Sequence, residues 1–141
     1  MSPTAVLYPS FAMFALTLAC LLYMGYARVT AIRRREIRIG WYRAYTEGLQ
    51  PPRLHIIGRH VQNHFEVPPL FHLGILLAFV TQTAGTLPLV FGWGYVAARC
   101  VHSAIHLGSN NVNHRFMAFG LSLMMLAGLW GSVLLKLVRG A

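Results

Sequence analysis

Arg59, Asn63 and Glu66 stand at spacings of four and three, just before Pro68, Pro69 and a long apolar run. Those spacings align the three side chains on one helical face. The chain holds only three acidic residues. An ionisable group at membrane depth is costly without a partner, which makes Glu66 a functional candidate. The stripe offers a guanidinium for a carboxylate, an amide for either role, and a carboxylate for an ammonium.

A second stripe, Tyr95, Arg99, His102 and His106, runs at spacings of four, three and four. If the two segments form an antiparallel hairpin, both stripes fall toward the same end and can meet. One outcome is a polar zipper, in which Glu66 neutralises Arg59 or Arg99 while Asn63 and the histidines bond across helices. Two arginines, an asparagine, a glutamate and two histidines exceed what one ion pair needs. The surplus cationic capacity points to an anionic or zwitterionic ligand. The pairs His60/His64 and His102/His106 have the i,i+4 spacing that can grip a metal or haem. No cysteine or carboxylate cluster at fixed spacing accompanies them, so no metal ligands are assigned.

The elements that must position these stripes are apolar helices. Hydrophobic residues are 56% of the 141 and charged residues 11%, with mean hydropathy +0.54. An ordinary soluble domain is excluded, and the length allows one domain. Net charge is +9. Seven of the twelve basic residues lie within residues 28–53. That is the pattern of a cytoplasmic loop rather than of a nucleic-acid interface. Four stretches suit bilayer crossing, at about 6–27, 67–84, 88–107 and 116–135, with a basic cytoplasmic loop over 28–58. Gly85, Thr86, Leu87 and Pro88 mark the turn of the central hairpin. Four crossings place both termini outside, which leaves Lys136 and Arg139 on the less favoured side.

Local signals fill in the rest. The first apolar run lacks a preceding Lys or Arg and is too long for a cleaved signal peptide. The run from Ile32 to Arg38 is expected to carry the first helix into the cytoplasm. Trp41, Tyr42 and Tyr45 are expected at the interface. Pro68 and Pro69 should free backbone carbonyls near His64 and Phe65. Cys20 and Cys100 fall within spans, where thiols are packing residues, and no disulfide framework is expected. The polar loop 108–114 should lie beside the basic loop. Gly120, Ala127, Gly128 and Gly131 give the last helix small residues for close packing.

The arginine, asparagine, glutamate and proline at these spacings, with four spans and a basic first loop, resemble the MAPEG family. Its members are membrane-associated proteins in eicosanoid and glutathione metabolism. The resemblance covers essentially the whole chain. It implies an all-α integral membrane four-helix bundle assembled as a homotrimer, with glutathione between neighbouring protomers near the cytoplasmic face. Carried over residue by residue, it implies glutathione contacts from Arg59, Asn63 and Glu66, from Arg99 and, by a looser alignment, from Arg28. The tyrosines that familiar members carry after the arginine of helix three are replaced here by His102 and His106. The arginine near the start of their fourth helix aligns without gaps to Asn113, and Arg115 takes its place if the 108–114 loop carries a small insertion.

The expected function is therefore a glutathione-dependent membrane transferase or peroxidase acting on lipophilic electrophiles or hydroperoxides. Arg99, His102 and Arg115 are the candidate catalytic residues; Arg28, Arg59, Asn63, Glu66, Arg99 and His106 are the candidate binding residues. A cation beside a thiol lowers its pKa and raises the thiolate fraction. A non-catalytic lipid-binding protein of the same fold is the alternative, and a histidine-ligated metal or haem protein is the third. Expected partners are glutathione, a lipophilic small molecule or lipid, membrane lipids and two further copies of the chain, with no nucleic acid.

Overall fold

Helix forms wherever apolar runs are long and uninterrupted, and it stops at identifiable residues. The computed structural model describes residues 2–44 and 50–140, so Tyr45 lies outside the described residues. A short 3₁₀ turn over Pro3–Leu7 leads into α1, Tyr8–Arg33. The brief α2, Trp41–Ala44, precedes α3, Pro52–Glu66, and α4, Pro68–Val80. Two long helices follow, α5 over Thr86–Leu107 and α6 over Val112–Arg139.

The first helix does not continue through Arg38 as its sequence suggests. The N–H of Glu36 bonds to the Ala31 carbonyl and that of Arg35 to the Ile32 carbonyl, each at 3.0 Å. With Arg35 at φ 58°, this is the two-bond C-terminal motif that closes a helix and reverses the chain. The reversal packs Ile37 and Trp41 against Ala31 and Leu54 in a small satellite core. Trp41, expected at the interface, is instead buried.

Proline sets the break in the second hydrophobic segment. Pro68 has no N–H, and its ring excludes the carbonyl one turn earlier. The segment therefore divides at Val67 into α3 and α4, with both prolines in the first turn of α4, where their missing donors do no harm. The hairpin turn covers residues 81–85, slightly before the expected position, and Pro88 sits in the first turn of α5. At α6, the Asn111 side chain accepts from the His114 N–H at 3.1 Å, an N-terminal cap. Gly140 in left-handed geometry closes the other end.

Met13, Phe71, Ile75, Tyr95 and Leu129 form the centre of the main core. Phe71 stacks on Tyr95 with ring centroids 4.3 Å apart. Helices α5 and α6 share the most extensive interface, where a Cβ on Gly128 would run into the Phe91 ring. Lys136 donates to the Ala84 carbonyl at 3.2 Å. This bond ties the end of α6 to the hairpin turn and gives the cation at that end a partner.

The segment Pro3–Arg33 and α6 are each long and apolar enough to cross a membrane. At about 1.5 Å per residue, the 22 residues of α5 are also long enough, although Arg99, His102 and His106 lower its apolar character. Phe11, Phe14, Leu22, Leu76, Phe116, Met117 and Met124 are exposed, an apolar exterior suited to lipid contact.

Candidate functional site

The expected direct meeting of the two polar stripes does not occur: the α5 stripe packs against a different face of α3 than its charges suggest. Leu54, Ile57, His60, Val61 and His64 are its buried residues. At 3.6 residues per turn, Arg59, Asn63 and Glu66 then lie roughly 150° away. Arg59 and Glu66 are exposed and Asn63 is half-buried. On α5 the whole stripe of Tyr95, Arg99, His102 and His106 is buried. The inward partners of α5 are thus His60 and His64, and the apolar register of Leu54, Ile57 and Val61 was the signal for it.

Four histidines consequently form one cluster. His60 Nδ1 lies 2.9 Å from His106 Nδ1, and His60 Nε2 lies 3.3 Å from His64 Nε2. The rings of His60 and His102 stack at 5.8 Å. From α1, Thr17 Oγ1 lies 3.0 Å from His64 Nδ1 and Cys20 Sγ 3.5 Å from His60 Nε2. Both ring nitrogens of the buried His102 lack a protein partner among the described residues. Cys20 lies 40 residues before His60 in the chain, so no local spacing could announce it.

Arg99 is fully buried. Its Nη2 donates to the Asn63 carbonyl at 3.0 Å, and its Cζ lies 5.7 Å from the Phe119 ring centroid. That carbonyl belongs to the last turn of α3, where helical partners run out. The sequence places the freed carbonyls at His64 and Phe65, whereas the one that Arg99 takes belongs to Asn63. Arg99 Nε and Nη1 have no protein partner among the described residues. The expected polar zipper forms only in part: the histidines bond across helices, but among the described residues the only ion pair is Arg34–Glu36, at 4.0 Å and exposed. Glu66 pairs with neither Arg59 nor Arg99 in the protomer.

Outside the cluster, a cavity of about 500 Å³ opens between α3, α5 and α6. His55, Arg59, Asn63, His102, His106, Asn110 and Arg115 form its polar wall, and Phe116 and Phe119 contribute to its apolar side. Arg115 is fixed by a 2.6 Å bond from Nη1 to Asn110 Oδ1, and Asn110 takes up φ 49°, a conformation that asparagine tolerates well. The wall thus presents Arg115, not the exposed Asn113. Five of the sequence-derived site residues meet here: Arg59, Asn63, His102, His106 and Arg115. Arg99 stands behind the wall. Glu66 points outward, and Arg28 lies apart, with its Cζ 5.3 Å from the Tyr42 ring centroid.

The family model that describes the MAPEG family matches residues 6–135. The chain belongs to the MAPEG family. It is accordingly a helical membrane protein of a family linked to glutathione. No curated protein matches the chain.

Proposed function

We propose that this MAPEG protein is a glutathione-dependent transferase or peroxidase acting on lipophilic electrophiles or hydroperoxides. The observation that carries the reading is the open cavity whose wall combines Arg59 and Arg115 with Asn63, Asn110 and three histidines. Glutathione has two carboxylates for guanidinium groups and one ammonium for a carboxylate. Arginine is the better carboxylate clamp because its paired donors match both oxygens.

The outward face of α3 supports a site shared between protomers of a homotrimer. Arg59 and Glu66 project from the surface of their own bundle, where a neighbouring copy would complete their surroundings. In this arrangement Arg59 holds a carboxylate and Glu66 meets the ammonium. Arg115, on the cavity wall, stabilises the thiolate. His102, with both nitrogens free of protein partners among the described residues, accepts the thiol proton. Sulfur then attacks the electrophile, forming a carbon–sulfur bond as the leaving group departs with its electron pair. Arg99 holds Asn63, and through it the end of α3, in place. In the membrane the four spans put the basic loop and the cavity on the cytoplasmic side and both termini outside.

An apolar groove of about 340 Å³ between α5 and α6, lined by Ala97, Val101, Ala118 and Leu121, suits a lipophilic second substrate. The same groove favours the alternative reading, a lipid-binding protein without thiol chemistry. Calorimetry of glutathione binding to detergent-purified protein, followed by electrophile and hydroperoxide assays, separates the two. Saturable binding with turnover supports the enzyme. Folded protein that binds no glutathione would falsify it and favour the lipid-binding role.

A further inference from the structure

We propose that Cys20, His60 and His64 form a binding site for a soft transition-metal ion, with Cu(I) as the ion that the surrounding charge favours. The site lies behind the glutathione cavity, and the inference does not depend on the transferase reading. Its first support is spacing. An ion bonded at about 2.3 Å to sulfur and about 2.0–2.1 Å to nitrogen, with near-tetrahedral angles, sets its donor atoms roughly 3.3–3.6 Å apart. Sulfur to His60 Nε2 is 3.5 Å and His60 Nε2 to His64 Nε2 is 3.3 Å. All three donor atoms lie within 4.8 Å of one another, and all three residues are buried.

The hydrogen bonds around the triad form the second support. The Thr17 hydroxyl donates to the Met13 carbonyl at 3.0 Å. Its single proton thus used, it accepts from His64 Nδ1 at 3.0 Å, and His64 Nε2 is left with a bare lone pair. His60 Nδ1 and His106 Nδ1, 2.9 Å apart, share one proton. With that proton on His60, its Nε2 is bare as well. Two lone pairs and a sulfur then converge, each imidazole anchored through its other nitrogen as metal-bound histidines are. In a metal-free wiring the Thr17 hydroxyl would turn from Met13 to donate to His64 Nδ1, and His64 Nε2–H would donate to His60 Nε2. The experiment separates the two.

Charge selects the ion. Arg99 is fully buried and bonded to the carbonyl of Asn63, the residue before His64. Glu66 is exposed, so no buried carboxylate offsets this cation among the described residues. A thiolate with Cu(I) is neutral, whereas a thiolate with Zn(II) leaves one positive charge beside the guanidinium. Sulfur with imidazole suits both ions, and the buried arginine tips the choice to the monovalent one. Cys20 and the exposed Cys100 line one apolar groove of about 300 Å³, which gives an approaching ion a second thiol at the entrance.

The test uses the full chain in detergent, anaerobic and free of glutathione, which binds copper itself. Cu(I) is titrated against a chromophoric chelator, and Co(II) serves as the spectroscopic probe. The expected result is one Cu(I) per chain held against the chelator, and a thiolate-to-cobalt charge-transfer band. Cys20→Ser and His64→Gln should each weaken Cu(I) binding by about tenfold or more, the lower end of what lost metal-site support produces. His106→Gln should change it by less than about threefold, because the hydrogen-bond partner is kept. A wild-type chain that takes no Cu(I) from the chelator overturns the site. So does a Cys20→Ser chain that binds as well as wild type, which would move the ion to His60, His102 and His106. Should Cys20→Ser fail to fold, the cobalt band in Cys100→Ser decides: retained, it assigns the thiolate to Cys20; lost, it removes Cys20 from the site.

Discussion

Both faces of α3 carry polar side chains, and those side chains have opposite fates. On one, Arg59 and Glu66 are exposed, and Arg59 has only a long 3.4 Å contact with Gln62. On the other, His60 and His64 are buried and bonded to α1 and α5. Side chains that keep their hydration can wait for a ligand or a neighbouring protomer. Those taken out of water must find partners within the bundle. Charge at a membrane edge therefore identifies a stripe, and apolar register decides which way it faces.

The largest expected effect tests whether the inner face is structural and the outer is not. His60→Ala removes the common partner of Cys20, His64 and His106 and should cost about 2–4 kcal/mol of stability, a loss of several buried contacts at once. Arg59→Ala should stay within about 0.5 kcal/mol, as exposed substitutions do. Thermal melting in detergent reads both; equal losses would erase the contrast between the faces.

Binding should reverse that order. Arg59→Ala and Glu66→Gln should each weaken glutathione by about tenfold or more, about 1.4 kcal/mol, with melting unchanged. Calorimetry measures this, and undiminished affinity in both variants would detach the outer stripe from the ligand. Turnover sharpens the comparison at the cavity wall. Arg115→Gln should lower kcat/KM by roughly 100–1000-fold, the scale of losing one group that stabilises developing charge. Asn113→Ala should leave the rate near wild type, and a larger loss there would restore the gap-free alignment. The smallest effect is Thr17→Val, about 1 kcal/mol from one hydrogen bond. A melting curve identical to wild type would mean that the Thr17–His64 contact does not hold the inner face.

Much of the fold was legible because apolar run length and proline chemistry act locally. The long first and last helices, the hairpin break before Pro88 and the buried stripe of Tyr95, Arg99, His102 and His106 all follow from periodicity. Arg59 and Asn63 were marked by their spacing, whereas Arg115 came only from the family resemblance and depended on how the loop before it is counted. What escaped was decided by tertiary packing. The outward turn of Arg59 and Glu66 is set by Leu54, Ile57 and Val61, whose register continues through two histidines that look polar when read alone. Trp41 is buried because the chain reverses at Arg35, a left-handed position usually given to glycine. The approach of Cys20 to His60 depends on how α1 crosses α3, which no spacing along the chain encodes.

The break at Val67 gives this contrast a mechanical meaning. Residues Pro52–Glu66 form one rod, jointed to α4 at a single non-helical residue and tethered by the Arg99 bond to Asn63. A rod cannot turn one side without turning the other. Any tilt that draws Arg59 and Glu66 around a ligand swings His60 and His64 against α1 and α5 by the same angle, so occupancy outside becomes geometry inside.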